Sequence, residues 1–147
     1  NGAGSALDWL AAHENLPLET LLAAAERAHV AGETPPLFIN GVSGLGAPFW
    51  VSTLGSRFIG DGGTGARVLA VLESIAFLLQ ANLEELTAHG PPLTRLLVTG
   101  GLSASDYLCR CLGVLSALPV DRADDPEATA RGLAARGNTD SSRGPEG

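Results

Sequence analysis

Lysine and methionine are absent from the 147 residues, cysteine occurs twice, and aromatic residues make up only 5%. Each shortage removes a class of chemistry. A P-loop needs a lysine on the β- and γ-phosphates, and a Schiff base needs a lysine amine, so both are excluded. All nine basic residues are arginine, set against 16 acidic ones, for a net charge of −7. A chain this anionic repels phosphodiester backbones and acidic lipid surfaces, which argues against a nucleic-acid or membrane partner. No basic-then-apolar leader opens it, and its uninterrupted apolar runs fall far short of the ~20 residues of a membrane span. The expectation is a soluble, cytoplasmic chain. With no Met even at position 1, a processed form or a piece of a longer polypeptide is expected.

What is present suffices for one domain. At 45% hydrophobic, with Ala, Leu and Val doing the packing, a chain this long buries about 68–70% of its unfolded surface. Cys109 and Cys111 are two apart in a predicted helix, so they point about 200° away from each other around its axis. They are expected to be independent reduced thiols rather than a disulfide or a shared metal site.

Periodicity and punctuation predict the elements. Asn1–Ser5 reads as a loop feeding a helix with Ala6, Leu7, Trp9 and Leu10 on its apolar side, punctuated by Asn15 and Pro17. A second helix is expected over 18–29, with Pro17 suited to its first position. Leu37-Phe38-Ile39 reads as a buried strand, Gly41 to Trp50 as an ordered apolar loop, and Arg57-Phe58-Ile59 as a short strand. The strongest helix runs from Ala66 to about Ala88, where Val68, Leu69, Leu72, Ile75, Ala76, Leu79, Leu83 and Leu86 recur at three- and four-residue steps. A buried strand at Arg95–Thr99, a tight Gly100-Gly101 loop and a helix from Ser103 to Ser116 follow. Pro119–Asp121 reads as a strand and Pro126–Arg136 as a last helix capped by Asp125, leaving a polar tail, 137–147, expected to be disordered. Strands alternating with helices argue an α/β fold with a mostly parallel sheet.

Two glycine clusters could carry chemistry. In Leu96-Leu97-Val98-Thr99-Gly100-Gly101-Leu102-Ser103, a strand meets two glycines and then a helix. Glycines there let a ligand approach the backbone, and a helix N-terminus offers N–H groups to a phosphate. The plain alternative is a turn followed by a capping box made by Ser103 and Asp106. The second cluster, Gly60-Asp61-Gly62-Gly63-Thr64-Gly65, is a formal G-x-G-x-x-G between a strand and a helix. A dinucleotide fold would also need an acid at the end of the next strand, and that strand ends at Thr99, so a flexible turn is favoured.

Elsewhere the signals are bland. His13, His29 and His89 lack ligand spacing, and a metal site is not expected. Gly41-Val42-Ser43-Gly44-Leu45 misses the nucleophile-elbow pattern at its last position. Trp9 and Trp50 are expected to pack rather than to stack on a sugar.

Three separated segments together resemble the C-terminal domain of the FGGY carbohydrate kinases, with a leaning toward glycerol kinases. Leu37 to Trp50, containing Gly44-Leu45-Gly46-Ala47-Pro48-Phe49-Trp50, is similar to a glycerol kinase stretch. Gly55 to Gly60, followed by Ala70 to Ala76, resembles the family's second signature. Thr99 to Ser105, leading to Asp125 through Gly132, resembles its adenine-side motif and the helix after it. The resemblance implies an actin-like (ribonuclease-H-like) ATPase lobe, incomplete here, with residues 1–136 as a partial C-terminal domain. It also implies ATP and Mg²⁺ as cofactors, a small polyol or sugar as acceptor, and a homo-oligomer as a common state.

Residue by residue, the resemblance places Gly100 and Gly101 beside the nucleotide. Gly4 falls where glycerol kinases have a nucleotide-contacting glycine, and Asp8 where they have a Gln near the phosphates. Ser105 stands in place of the usual Asn. An Asp at position 8 would repel phosphate unless a cation or proton intervened. The catalytic Asp and the Gly-Thr-Gly phosphate loop of such kinases lie upstream of this segment, on an N-terminal lobe. The 147-residue chain alone is therefore expected to be catalytically silent, and a non-catalytic binding module descended from such a lobe is the alternative.

Overall fold

The computed structural model describes residues 2–42 and 55–123. Four α-helices and four short strands follow in the order α1 (Gly2–Glu14), α2 (Leu18–Val30), β1 (Leu37–Ile39), β2 (Arg57–Ile59), α3 (Thr64–His89), β3 (Leu96–Thr99), α4 (Asp106–Ser116) and β4 (Val120–Ala123). A 3₁₀ turn, Gly100–Ala104, joins β3 to α4. The last predicted helix with its Asp125 cap, the 137–147 tail and most of the Gly41–Trp50 stretch lie outside the described residues.

The core is a helical layer around the first half of α3. Val68, Leu69, Val71, Leu72 and Ile75 are almost wholly buried, and Leu10 of α1, Leu21 of α2 and Leu108 of α4 close on them. Each such side chain contributes roughly 1.5–3 kcal/mol by leaving water. Arg67 of α3 pairs with Glu14 at 2.6 Å, tying the end of α1 to the start of α3. By length and composition α3 would pass for a membrane span, contrary to the expectation from uninterrupted apolar runs. Its packing against α1, α2 and α4 gives that apolar face a protein core to face instead.

The helix boundaries show where tertiary contacts overrule local propensity. α1 begins at Gly2 rather than after a loop ending at Ser5, because docking of Ala6, Leu7 and Leu10 into the core holds a poor helix-forming start. Asn15 adopts a left-handed φ of 52°, and the Leu16 N–H bonds the Ala11 carbonyl at 3.1 Å, which closes α1 as the punctuation implied. Pro17 sits one place earlier than expected, as the N-cap of α2, with its carbonyl accepting from Leu21 N–H.

Where a mostly parallel sheet is expected, the strands among the described residues form two separate pairs. β1 and β2 are antiparallel, with Phe38 opposite Phe58; β3 and β4 are parallel, with Leu96 opposite Val120. The β3–α4–β4 unit has a helical crossover, which parallel pairing requires, whereas no helix was predicted between β1 and β2. Neither predicted buried strand is buried throughout. Leu96 and Val98 of β3 turn to the core while Leu97 remains 45% exposed, the period-two pattern of a strand covered on one face. Phe38 is the buried residue of β1.

Candidate functional site

The glycine turn after β3 is built from a few bonds. Gly100 has a φ of +73°, the left-handed region that favours glycine, so the chain leaves β3 sharply. The Ser103 hydroxyl donates to the Gly100 carbonyl at 2.6 Å, and the Ser105 N–H bonds the Leu102 carbonyl at 3.1 Å. Ser103 and Ser105 are 1% and 3% exposed, so the polar side of the turn faces inward. The Ser105 hydroxyl then accepts from Leu108 N–H at 3.1 Å and caps α4. The capping pair expected from Ser103 and Asp106 is therefore replaced: Ser103 closes the turn, α4 starts at Asp106, and Ser105 is its N-cap.

The outer side of the turn is open. Among the described residues, a Cβ built on Gly100 meets nothing within 4 Å, and one on Gly101 meets Leu18 Cδ2 at 3.9 Å. None of these atoms blocks an incoming group from the backbone of the turn. The N-terminus of α4 is a different matter. Its Tyr107 N–H bonds Glu26 of α2 at 3.2 Å and its Leu108 N–H bonds Ser105, so protein atoms already hold two of the first-turn donors that a phosphate could use. Two carboxylates, Asp106 and Glu26, also stand there, paired with Arg122 at 2.5 Å and Arg110 at 3.5 Å.

The remaining site candidates are on another element. Gly4 and Asp8 both lie on α1, one turn apart, with Asp8 exposed and open space where a Gly4 Cβ would be. The structure thus brings Gly100, Gly101 and Ser105 into one turn and leaves Gly4 and Asp8 on a helix that packs against α3 and α2.

The second glycine cluster is accounted for by packing. Gly60 takes a φ of +100° at the end of β2. A Cβ on Gly65 would lie 2.4 Å from the Ala24 carbonyl oxygen and 2.9 Å from Ala28 Cβ. Gly65 is where α3 crosses α2 at close range. Gly62 sits against Ala66 and Pro36, each 3.1 Å from a built Cβ. These contacts favour the turn reading over a dinucleotide site.

Other candidates resolve plainly. Trp9 stacks on His13 with centroids 4.9 Å apart and lies near Phe38 and Phe58, so it packs, as expected. Cys109 and Cys111 are free thiols, the first buried and the second half-buried. Burial raises both above the ordinary thiol value. Burial and a hydrogen bond to Glu73 push the Tyr107 phenol up as well. A cavity of about 320 Å³ opens beside Tyr107, Glu73 and Cys111, and the glycine turn does not line it. Among the described residues no three His, Cys, Asp or Glu side chains gather as a metal site. Sequence reading missed Glu26 and Arg122, because ion pairs between distant segments leave no periodic or motif signal.

Residues 1–140 match the profile described as "FGGY family of carbohydrate kinases, C-terminal domain". A glycerol kinase of Synechocystis sp. is 35% identical over 138 residues, covering 90% of this chain and 28% of that protein. A glycerol kinase of Gloeobacter violaceus is 38% identical over 101 residues, covering 66% of this chain and 20% of that protein. Among solved structures, a Brucella ovis xylulose kinase superposes with a TM-score of 0.70 at 25% identity, over 83% of this chain and 26% of that one. Plasmodium falciparum glycerol kinase with ADP superposes with a TM-score of 0.72 at 24% identity, over 90% and 27% respectively. This chain therefore spans between a fifth and little more than a quarter of the length of these relatives. With its α/β fold and its profile match in accord, the chain belongs to the FGGY family of carbohydrate kinases, as a glycerol-kinase-like C-terminal domain.

Proposed function

We propose that this chain is the nucleotide-side part of an ATP-dependent kinase that phosphorylates a hydroxyl of a small polyol, glycerol being the favoured class. The observation that carries the reading is the glycine turn at the end of a strand: Gly100 is in a left-handed conformation, and among the described residues only Leu18 comes near a Cβ built on Gly101. A side chain at either position would fill the space a ligand needs to reach the backbone. The glycerol kinase relatives support the substrate class. The proposal includes an actin-like, ribonuclease-H-like architecture completed by an N-terminal lobe, residues 1–136 as the partial domain, and cytoplasmic action.

In this reading Gly100 and Gly101 border the nucleotide through their backbone, and Gly4 and Asp8 of α1 form a further part of the site. Mg²⁺ accompanying ATP would be held by the phosphates, water and at most one or two carboxylates; Asp106 is already engaged by Arg122, whereas Asp8 is exposed and would be the carboxylate of this segment to reach it. ATP supplies the phosphoryl group when bound. No described residue is assigned as the base that takes the hydroxyl proton, and the chain alone is expected to produce no ADP from ATP and glycerol.

A second reading rests on Ser105. Its hydroxyl is buried and committed to capping α4, so it offers the nucleotide less than an Asn side chain reaching outward would. That favours a binding module that has lost part of its site. Calorimetric titration of the chain with ADP separates the two readings. Micromolar binding that Gly101→Val abolishes supports the kinase lobe, whereas no binding by a folded chain overturns it and leaves the module.

A further inference from the structure

Arg122 lies on β4, outside every motif the sequence offered, yet it holds the residues on both sides of Ser105. Its Nε donates to the Ser103 carbonyl at 2.6 Å, and its Nη1 donates to Asp106 Oδ1 at 2.5 Å. We infer that Arg122 is a positioning residue that locks the Gly100–Ser105 turn in its open shape and cancels the charge that Asp106 would otherwise hold against a bound nucleotide. This rests on the nucleotide reading given above.

The bonds form a chain of constraint. Arg122 fixes the Ser103 carbonyl, the Ser103 hydroxyl fixes the Gly100 carbonyl, and Gly100 is the residue whose left-handed φ turns the backbone outward. A planar guanidinium suits this task, since its donors leave in fixed directions, whereas a lysine ammonium is a flexible point charge. The electrostatics point the same way. Asp106 and Glu26 put two carboxylates at the first turn of α4, and each is matched by one arginine. In a chain of net charge −7, an unmatched Asp106 beside the turn would oppose any polyphosphate. Stability is a poor explanation for the pair. Its side chains are 38% and 58% exposed, and ion pairs that open to water add little to folding.

The test uses the full 147-residue chain and compares Arg122→Gln and Arg122→Lys with the parent. ADP and adenosine binding are measured by calorimetry, and amide hydrogen exchange is followed at Ser105 and at Leu112 inside α4. The expected result for Arg122→Gln is an ADP affinity roughly tenfold lower, the loss of a charge-assisted contact, with a smaller loss for uncharged adenosine. Adding Asp106→Asn to Arg122→Gln should recover part of the ADP affinity, because the unmatched charge is gone. Arg122→Lys should recover the charge balance but leave the turn exchanging faster than in the parent. Exchange at the Ser105 N–H should quicken while Leu112 stays protected. ADP binding by Arg122→Gln equal to the parent's, or an equal loss for ADP and adenosine, overturns the inference. If the parent itself binds no ADP, the nucleotide reading falls and exchange alone judges the clamp: unchanged protection at Ser105 then overturns it.

Discussion

Two glycine clusters stand at strand-to-helix junctions in this chain, and their tertiary surroundings give them opposite jobs. At Gly60–Gly65 the absent side chains make room for protein: the Ala24 carbonyl and Ala28 of α2 occupy the space beside Gly65. At Gly100–Gly101 the absent side chains leave room for something else: among the described residues there is open space at one glycine and a single apolar atom 3.9 Å away at the other. The formal dinucleotide pattern belongs to the filled junction, and the simpler Gly-Gly pair belongs to the open one. A glycine motif records only that a side chain is excluded. What excludes it must be read from the fold.

The sharpest way to break this comparison is Gly65→Ala. Helix propensity alone predicts a gain of roughly 0.5–1 kcal/mol for such a change. A Cβ only 2.4 Å from a backbone oxygen predicts a loss instead, of about 3 kcal/mol, because two helices must separate. Urea unfolding measures the sign, and an unchanged or raised midpoint would remove the packing account of that cluster. Next in size is Gly101→Val, for which ADP affinity should fall at least ~10-fold, about 1.4 kcal/mol, with stability held within about 0.5 kcal/mol. A large stability loss there would mean that the second junction is filled as well.

Ser105→Ala should cost about 1 kcal/mol in thermal unfolding, the usual value of a lost N-cap. Gly4→Ala runs the other way. Gly4 is inside α1 with open space around it, so the substitution should stabilise by roughly 0.5–1 kcal/mol. Weaker ADP binding in that more stable variant would place α1 at the same site as the glycine turn.

The smallest effect is a pH dependence. The folded state keeps Cys109, Cys111 and Tyr107 protonated, since burial raises all three. The unfolded chain releases those protons near the ordinary values of 9.0 for the thiols and 10.0 for the phenol. Above pH 9 the unfolded state therefore binds fewer protons than the folded one, and stability should decline as pH rises. Denaturation midpoints at pH 8 and pH 10 test the sign, with the Cys111→Ala variant showing a shallower decline.

Much of this architecture was legible in the chain. Every predicted helix and strand between residues 6 and 123 exists, because three- and four-residue apolar steps in α3 and short apolar runs between Gly and Pro are local signals. The boundaries were less legible. Gly2 and Ala3 enter α1 only because its later turns are anchored in the core, and α4 starts at Asp106 because Ser103 is occupied with Gly100. The turn itself is visible in the sequence, but the partner of the first N–H groups of the following helix is not. Glu26, 80 residues before Asp106, arrives there through packing of α2 and takes the Tyr107 N–H.

The sequence by itself determined the α/β class, the family, the free thiols and the absence of lysine chemistry, since these follow from composition and from patterns a few residues long. Tertiary structure alone decided which glycine cluster is open, which residue caps α4, and how β1–β2 and β3–β4 pair. The reason is range. Propensity and periodicity act between neighbours, whereas space beside a glycine, or an arginine on a carboxylate 16 residues away, exists only once distant segments share a surface.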